Sequence, residues 1–371
     1  MSYTYLIADV RTGAIVDELP LTQVTFDSKL NETGSLRAQL QVTDPQVSVR
    51  DPRALTEPGR TALYVDRDGT LVWGGIIWTT RYDVSTGVLE IGASDFLSYL
   101  EHRYVLGYPV SKPVPNTPPV AFTGVDQVDI ARELVRLTQS HPGGDIGLRV
   151  LGPAASGVPR TVSYAPSELK PVADALRDLA NAEHGFDFVV DVRYGSDGRP
   201  QRTLRIGHPA LGQPGAPYVW EFGANLVRFV WPLDGSTMAT RVFAQGAAGD
   251  SSSVMALAQE DEAIRLGWPL LEATSSQLDT ANQDLLDAWA AGSLAAQRRP
   301  VALPEITVRA DLDPLVGTYS VGDTARVVVD DLFFPHRQLD VTMRILSLEV
   351  TPGDQGEEEV KLTVASVEES S

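Results

Sequence analysis

The 371-residue sequence contains no cysteine. That excludes disulfides, thiol nucleophiles and every cysteine-containing zinc site, and it fits a chain made in a reducing compartment. Long apolar runs are missing too. The longest uncharged apolar stretch, Leu71 to Trp78, includes two glycines and is too short to cross a bilayer, so no membrane insertion is expected. Met1 to Val10 has no basic region and carries Asp9 early, so it does not read as a signal peptide. Histidine is sparse: His102, His141, His184, His208 and His336 are scattered singly and form no metal-ligand motif. Positive charge is also short, with 30 Lys and Arg against 49 Asp and Glu and a formal net charge of −19. A surface that acidic repels phosphate backbones and argues against tight nucleic-acid binding. The acidic excess is open to two readings: general solubility, or the wall of a passage along which a polyanion slides without sticking. Composition does not choose between them.

What is present reads as folded and β-rich. A hydrophobic fraction of 43% with 21% charged residues is ordinary for a globular protein, and 31 Gly and 25 Pro cluster between apolar segments. The length exceeds one hydrophobic core, so about two to four domains are expected. Strand patterns fill the first hundred residues. Tyr3 to Asp9 and Ala14 to Leu19 flank a turn at Arg11-Thr12-Gly13, and Val24 to Lys29 and Leu36 to Val42 flank Asn31 to Gly34. Ala62 to Val65, Leu71 to Tyr82 and Val88 to Ile91 form a meander broken at Asp66 to Gly69 and at Ser85-Thr86-Gly87, with a short closing helix at Phe96 to His102. Pro109 to Pro119, with four prolines, reads as a linker.

Beyond it the pattern changes. Asp126 can cap a helix to about Leu137, and Ser167 opens a second in which Leu169, Val172, Ala173, Leu176, Leu179 and Ala180 recur at helical spacing, with Pro171 in the first turn. Phe186 to Tyr194, the turn Gly195 to Gly198, and Arg202 to Ile206 make a hairpin. Strands are expected again at Leu226 to Trp231 and Thr240 to Ala244. A helix follows from about Ser276 to Arg299, with Leu278, Leu285, Ala288, Gly292 and Ala295 or Ala296 on one face and Pro300 as its stop. Strands at Glu305 to Ala310, Ala325 to Val329, Leu339 to Val350 and Val360 to Val367 complete the chain, with Glu368 to Ser371 frayed. The segments Ala62 to Asp66 and Ala325 to Asp330 share a pattern, and each precedes a turn, a long strand, a second turn (Pro352-Gly353-Asp354 in the later copy) and a last strand. Two related meanders would give two similar small β-barrels or sandwiches.

Three constellations invite chemistry. Val65-Asp66-Arg67-Asp68-Gly69-Thr70-Leu71 resembles the first motif of haloacid-dehalogenase-type phosphohydrolases, where one Asp attacks phosphorus and a second serves as acid and base around Mg²⁺. That chemistry belongs at the edge of a parallel sheet followed by crossover helices, and here Val72 to Trp78 continues as a strand; a tight hairpin turn is the better reading. Gly249-Asp250-Ser251 resembles a serine-nucleophile segment, but Ser252 and Ser253 stand where glycines are needed, so a Gly/Ser loop is expected. Six tryptophans invite sugar stacking. Trp73 and Trp78 fall on opposite faces of one strand, and core positions are expected for them. No catalytic, cofactor-binding or metal-binding residue is assigned, and no cofactor.

The order of parts resembles the baseplate hub (minor tail) proteins of tailed bacteriophages, actinobacterial siphophage ones in style. The residues that carry it are Leu71 to Trp78, Val88 to Ile91, Leu100 to Val105, Ala239 to Gly246, and a closing half of helix, Pro300, strand and Val321-Gly322-Asp323-Thr324. The resemblance implies an α+β, predominantly β multidomain chain: a β-barrel over 1–108, an α+β domain over 112–218, a second related barrel from 219–247 together with 301–367, and a helical insert at 248–300. It implies a homotrimeric ring at the distal end of the tail tube, adapting a sixfold tube to a threefold tip, with genomic DNA passing through without specific binding. Distal tail or tube protein, tape measure protein and other tail-tip proteins would be its partners. It would work in the virion after assembly in the host cytoplasm, without enzymatic activity, any cell-wall cutting lying in another protein. A phosphohydrolase and a receptor- or sugar-binding tail-tip protein are the alternatives.

Overall fold

The computed structural model describes residues 2–248, 253–276, 283–299, 303–353 and 358–367. These form two compact units, Met1–Phe229 with Glu305–Ser371, and Val230–Pro304.

In the first unit the N-terminal strands are β1 (Tyr3–Asp9), β2 (Ile15–Glu18), β3 (Thr22–Lys29), β4 (Ser35–Gln41), β5 (Thr61–Arg67), β6 (Thr70–Asp83) and β7 (Val88–Asp95). Alternation sets their faces: Leu36, Ala38 and Leu40 of β4 and Leu89, Ile91 and Ala93 of β7 point inward, while β5 is buried from Thr61 to Asp66. β5, β6 and β7 pair antiparallel as a meander, β6 shifting register by a bulge at Ile77/Thr79. The glycines of β6 have a packing reason. A Cβ on Gly75 would stand 2.2 Å from the Ser94 carbonyl oxygen, so only glycine lets that strand come so close. Two one-turn helices, α1 (Pro45–Ser48) and α2 (Pro52–Leu55), lead into β5, each starting with an Asp cap followed by proline. α3 (Leu97–Glu101) closes the meander within the range expected for it.

The segment 109–119 holds only a single 3-10 turn, Val114–Asn116. After it come β8 (Val120–Asp126), α4 (Gln127–Ser140), β9 (Leu148–Leu151), β10 (Pro159–Tyr164), α5 (Val172–Asn181), β11 (Asp187–Tyr194) and β12 (Pro200–Gly207). β8 pairs with β10, and β11-β12-β9 make a second small sheet whose β12–β9 pairing is parallel. Asp126 caps α4 as expected: one carboxylate oxygen accepts from Val128 N at 2.9 Å and the other from Ser156 N and Gly157 N. α5 corrects the sequence reading. It begins at Val172 with Pro171 as its N-cap, five residues after Ser167. Proline pushes the residue before it out of the helical region, and Leu169, at φ 46°, is exposed rather than on the apolar face. One apolar core joins these elements to the N-terminal strands: Ala62, Tyr64, Ile76 and Phe96 belong to the same cluster as Leu134, Leu176, Phe188 and Leu204.

β13 (Tyr218–Glu221) and β14 (Leu226–Val230) follow. Then comes the second unit: β15 (Arg241–Ala248), β16 (Ser253–Gln259), α6 (Asp261–Arg265), β17 (Glu272–Ser276) and α7 (Gln283–Gln297). β15 is central, antiparallel to β16 and parallel to β17. Two expectations fail here. Among the described residues the strand at Thr240 to Ala244 pairs with β16 and β17 of this unit and not with residues 301–367, and the insert is mixed rather than helical. Ser253–Gln259 has one β-branched residue, Val254, among Ala, Leu and Met, so local propensity favours helix and cross-strand pairing overrides it. The expected face of α7 also shifts. Leu286, Ala290 and Leu294 are buried, while Gly292, Ala295 and Ala296 are exposed, because leucine gains more from burial than glycine or alanine. Leu278, Gly249-Asp250-Ser251, Ser252, Pro300, Asp354 and Glu368 to Ser371 lie outside the described residues.

The chain re-enters the first unit with β18 (Glu305–Arg309), β19 (Thr324–Asp330), β20 (Gln338–Thr351) and β21 (Glu359–Ser366). β19, β20 and β21 form a second antiparallel meander. Like β6, its central strand has 14 residues, and like β6 it is bulged against the strand that follows, here at Ile345/Ser347. The two meanders belong to one hydrogen-bonded path, β14-β18-β21-β20-β3-β4-β7-β6-β5-β1-β2, with β19 also on β20 and β13 parallel to β19. The join is β3 on β20, from Phe26 opposite Val350 to Lys29 opposite Ser347. Among the described residues the path runs open from β14 to β2, so neither meander closes as a barrel by hydrogen bonds.

Candidate functional site: an acidic corner and buried charge pairs

The Asp66–Gly69 corner decides between chemistry and architecture. β5 enters it and β6 leaves it as an antiparallel pair, with Arg67 opposite Thr70. Asp68 and Gly69 both have positive φ, 50° and 86°, as a two-residue I′ hairpin requires. Asp66 is buried; one oxygen accepts from Gly69 N at 2.7 Å and the other from the Tyr194 hydroxyl. Asp68 accepts from Ser2 N at 2.8 Å. Both carboxylates therefore tie backbone and side chain together around a bend. Both strands that β5 pairs with among the described residues, β1 and β6, run antiparallel to it, so the corner lacks the parallel-sheet setting of that motif and gives the phosphohydrolase reading no support.

The other sites singled out from sequence are dispersed. Trp73 is buried with its Nε1 donating to Asp27 O at 2.9 Å. Trp78 donates to Ser98 Oγ at 2.8 Å and stacks on His102, ring centroids 4.3 Å apart. Trp220 is fully buried, and Trp268 is 46% exposed. His141 contacts the Leu106 carbonyl oxygen at 3.0 Å, and His184 stands beside Glu183 at 3.7 Å. Among the described residues no group of three or more His, Asp or Glu is placed to hold a metal ion, and no helix is long and apolar enough to cross a membrane.

Sequence reasoning missed the buried charges. Arg67 and Glu358 form a bidentate pair, Nε to Oε1 and Nη2 to Oε2 at 3.0 Å each, with side chains 11% and 1% exposed. It joins the end of β5 to the residue before β21. Burial, with the negative charge of Glu358 nearby, pushes the Tyr3 and Tyr319 hydroxyls well above their ordinary range. Arg344 of β20 pairs with Asp187 at the start of β11 and donates to Gly322 O at 3.0 Å. Asp95, at the end of β7, accepts from Gly34 N at 2.7 Å and Leu97 N at 2.8 Å. Burial pushes its carboxyl up to about 7, the two amide bonds working against that and Asp27 and Glu101 adding to it. Nothing in local spacing marks Arg67 or Glu358. Arg202 did carry a signal, since it alternates in phase with Leu204 and Ile206 and is buried with them.

No family model matches the chain, and no curated protein matches it. Solved structures do. A tail protein from Neisseria meningitidis MC58 matches with TM-score 0.63 and 16% identity, covering 98% of this chain and 96% of that one. The 43 kDa tail protein of prophage MuSo2 from Shewanella oneidensis matches at 0.61 and 15%, covering 98% of each chain. Prophage tail protein gp18 from Listeria monocytogenes EGD-e matches at 0.54 and 12%, covering 97% and 94%. The chain shares its fold with these three over nearly its whole length.

Proposed function

We propose that this chain is a structural subunit of a phage-type tail: a baseplate hub that forms a ring of three copies at the distal end of the tail tube. The carrying observation is the end-to-end match, 98% of this chain on 96% and 98% of two proteins called tail proteins. The hairpin geometry of Asp66 to Gly69 supports a role without catalysis or cofactor. In this reading the two meanders are the cores of two related β modules, the second interrupted by the insert at Val230–Pro304. Two such modules in each of three chains adapt a sixfold tube to a threefold tip. The net charge of −19 then gives a wall along which DNA moves without phosphate contacts. Its partners are the tube or distal tail protein, the tape measure protein and other tail-tip proteins, and it reaches the virion tail tip after assembly in the bacterial cytoplasm.

Sedimentation of the chain alone and with co-expressed tail proteins tests the ring, and imaging of particles labelled at this chain tests its place. A trimer-sized species and label at the distal tip are expected. A stable monomer under both conditions, or label elsewhere on the particle, refutes the proposal.

A further inference from the structure

Arg202 is 2% exposed, and its bonded partners among the described residues are a hydroxyl and two carbonyl oxygens, none a carboxylate. Its Nε donates to the Tyr64 hydroxyl at 2.6 Å, and its Nη1 donates to the carbonyl oxygens of Val10 and Ile146. Its guanidinium lies 4.4 Å from the centroid of the Phe96 ring. Nη2 is buried and has no acceptor among the described residues. Carbonyls and a ring offset part of the cost of burying a cation, but a full counter-charge is missing. That nitrogen lies 4.0 Å from where a Cβ on Gly13 would be, and Arg202 and Gly13 are both among the residues lining a pocket of about 190 Å³.

That pocket sits between the β1–β2 turn, the start of β9 and the β11–β12 turn. Arg11, Arg149 and Arg199 line it with Arg202, and all three are exposed. Among the described residues none of the four arginines makes an ion pair, whereas most other arginines of this acidic chain do. Asp197 is the one acid in the lining, and its Oδ1 already accepts from Arg199 N at 3.1 Å. Four guanidinium groups around so small a volume outnumber its one carboxylate and attract anions that the rest of the acidic surface repels.

We propose that this pocket binds an oxyanion, a phosphate, sulfate or carboxylate group, with Arg202 in its wall and the exposed Arg11, Arg149 and Arg199 as its donors. Planar guanidinium donors suit the paired oxygens of such a group.

The test is calorimetric titration of inorganic phosphate into the full chain, against sodium chloride at matched ionic strength. Saturable one-to-one binding and a higher thermal midpoint in phosphate are expected. The double variant Arg149→Ser/Arg199→Ser alters only exposed side chains, so its midpoint in chloride should stay unchanged while phosphate affinity falls about tenfold or more. Sedimentation in the same buffers separates the sources of the group. A loss of mass in phosphate identifies a carboxylate of a second copy as the resident ligand, and constant mass identifies a free anion. Binding weaker than about 10 mM in the wild type, or equal binding by the double variant, overturns the proposal.

Discussion

Removing one partner of the Arg67–Glu358 pair should destabilise the first unit more than any surface change. The two side chains are 11% and 1% exposed and share two 3.0 Å hydrogen bonds, and Arg67 Nη1 reaches the Val316 carbonyl oxygen at 3.3 Å. In Glu358→Gln the guanidinium stays buried with its counter-charge gone. Breaking a buried pair in this way costs about 3–5 kcal/mol, much of it the penalty of the charge left behind. Arg67→Met strands the carboxylate instead and should cost as much. The double variant Arg67→Met/Glu358→Leu strands neither, and apolar replacement of a whole buried pair is often neutral, so it should lose no more than about 1–2 kcal/mol. The two singles would sum to far more than the double, a non-additivity read from urea unfolding followed by tryptophan fluorescence. Each single variant should lower the urea midpoint by about 1 M or more. Losses below about 1 kcal/mol in both singles, with additive behaviour, would mean that water reaches the pair and that it does not lock the two meanders together.

The remaining expectations concern smaller groups. Burial lifts the Asp95 carboxyl from its ordinary 3.8 to about 7, so the folded chain holds a proton that the unfolded chain releases between those values. Stability from this group is therefore full below about pH 4 and is lost as pH rises to 7, by up to about 4 kcal/mol; Asp95→Asn should flatten that slope in urea melts at pH 5 and 8. Asp126→Ala removes the cap of α4 and the acceptor for Ser156 N and Gly157 N, and should cost about 1–2 kcal/mol by thermal melting. Gly69→Ala meets no atom within 4 Å but must hold φ 86°, so it should cost about 1 kcal/mol from backbone strain alone. Wild type and Asp66→Asn should show the same background hydrolysis of a generic phosphate ester with Mg²⁺, and a loss of activity in the variant would revive the catalytic reading.

What the sequence made legible was local. Turn residues at Asn31 to Gly34 and Gly195 to Gly198 fall between strands as expected, and of Asp66 to Gly69 the last two make the turn, because each is specified by a few contiguous residues. The strands of each meander were visible for the same reason. The join between them was not. β3 meets β20 across more than 300 residues of chain, with Thr25 Oγ1 3.2 Å from Thr351 Oγ1, and no local pattern encodes which strand edge finds which. The start of α5 was misread because periodicity outweighed the proline rule, and β16 was not read as a strand because alanine and leucine hide its pairing. The charge pairs were invisible because their partners come from distant segments.

The strand order also explains how one chain holds both a continuous sheet and an insert. β14 and β18 are neighbours in the sheet, and Arg309 N, at the end of β18, donates to Asn225 O just before β14 at 2.9 Å. The two strands therefore run in opposite directions, which puts the end of β14 beside the start of β18. Those are the points where the chain leaves for Val230–Pro304 and returns at Glu305. An insertion whose ends lie on adjacent strands leaves the pairing of those strands in place. The first unit's integrity then rests on β3 against β20, on Arg67 with Glu358, and on Arg344 with Asp187, each binding an early segment to a late one. Among the described residues the hydrogen-bonded path links its β2 end to its β14 end through the β3–β20 pairing.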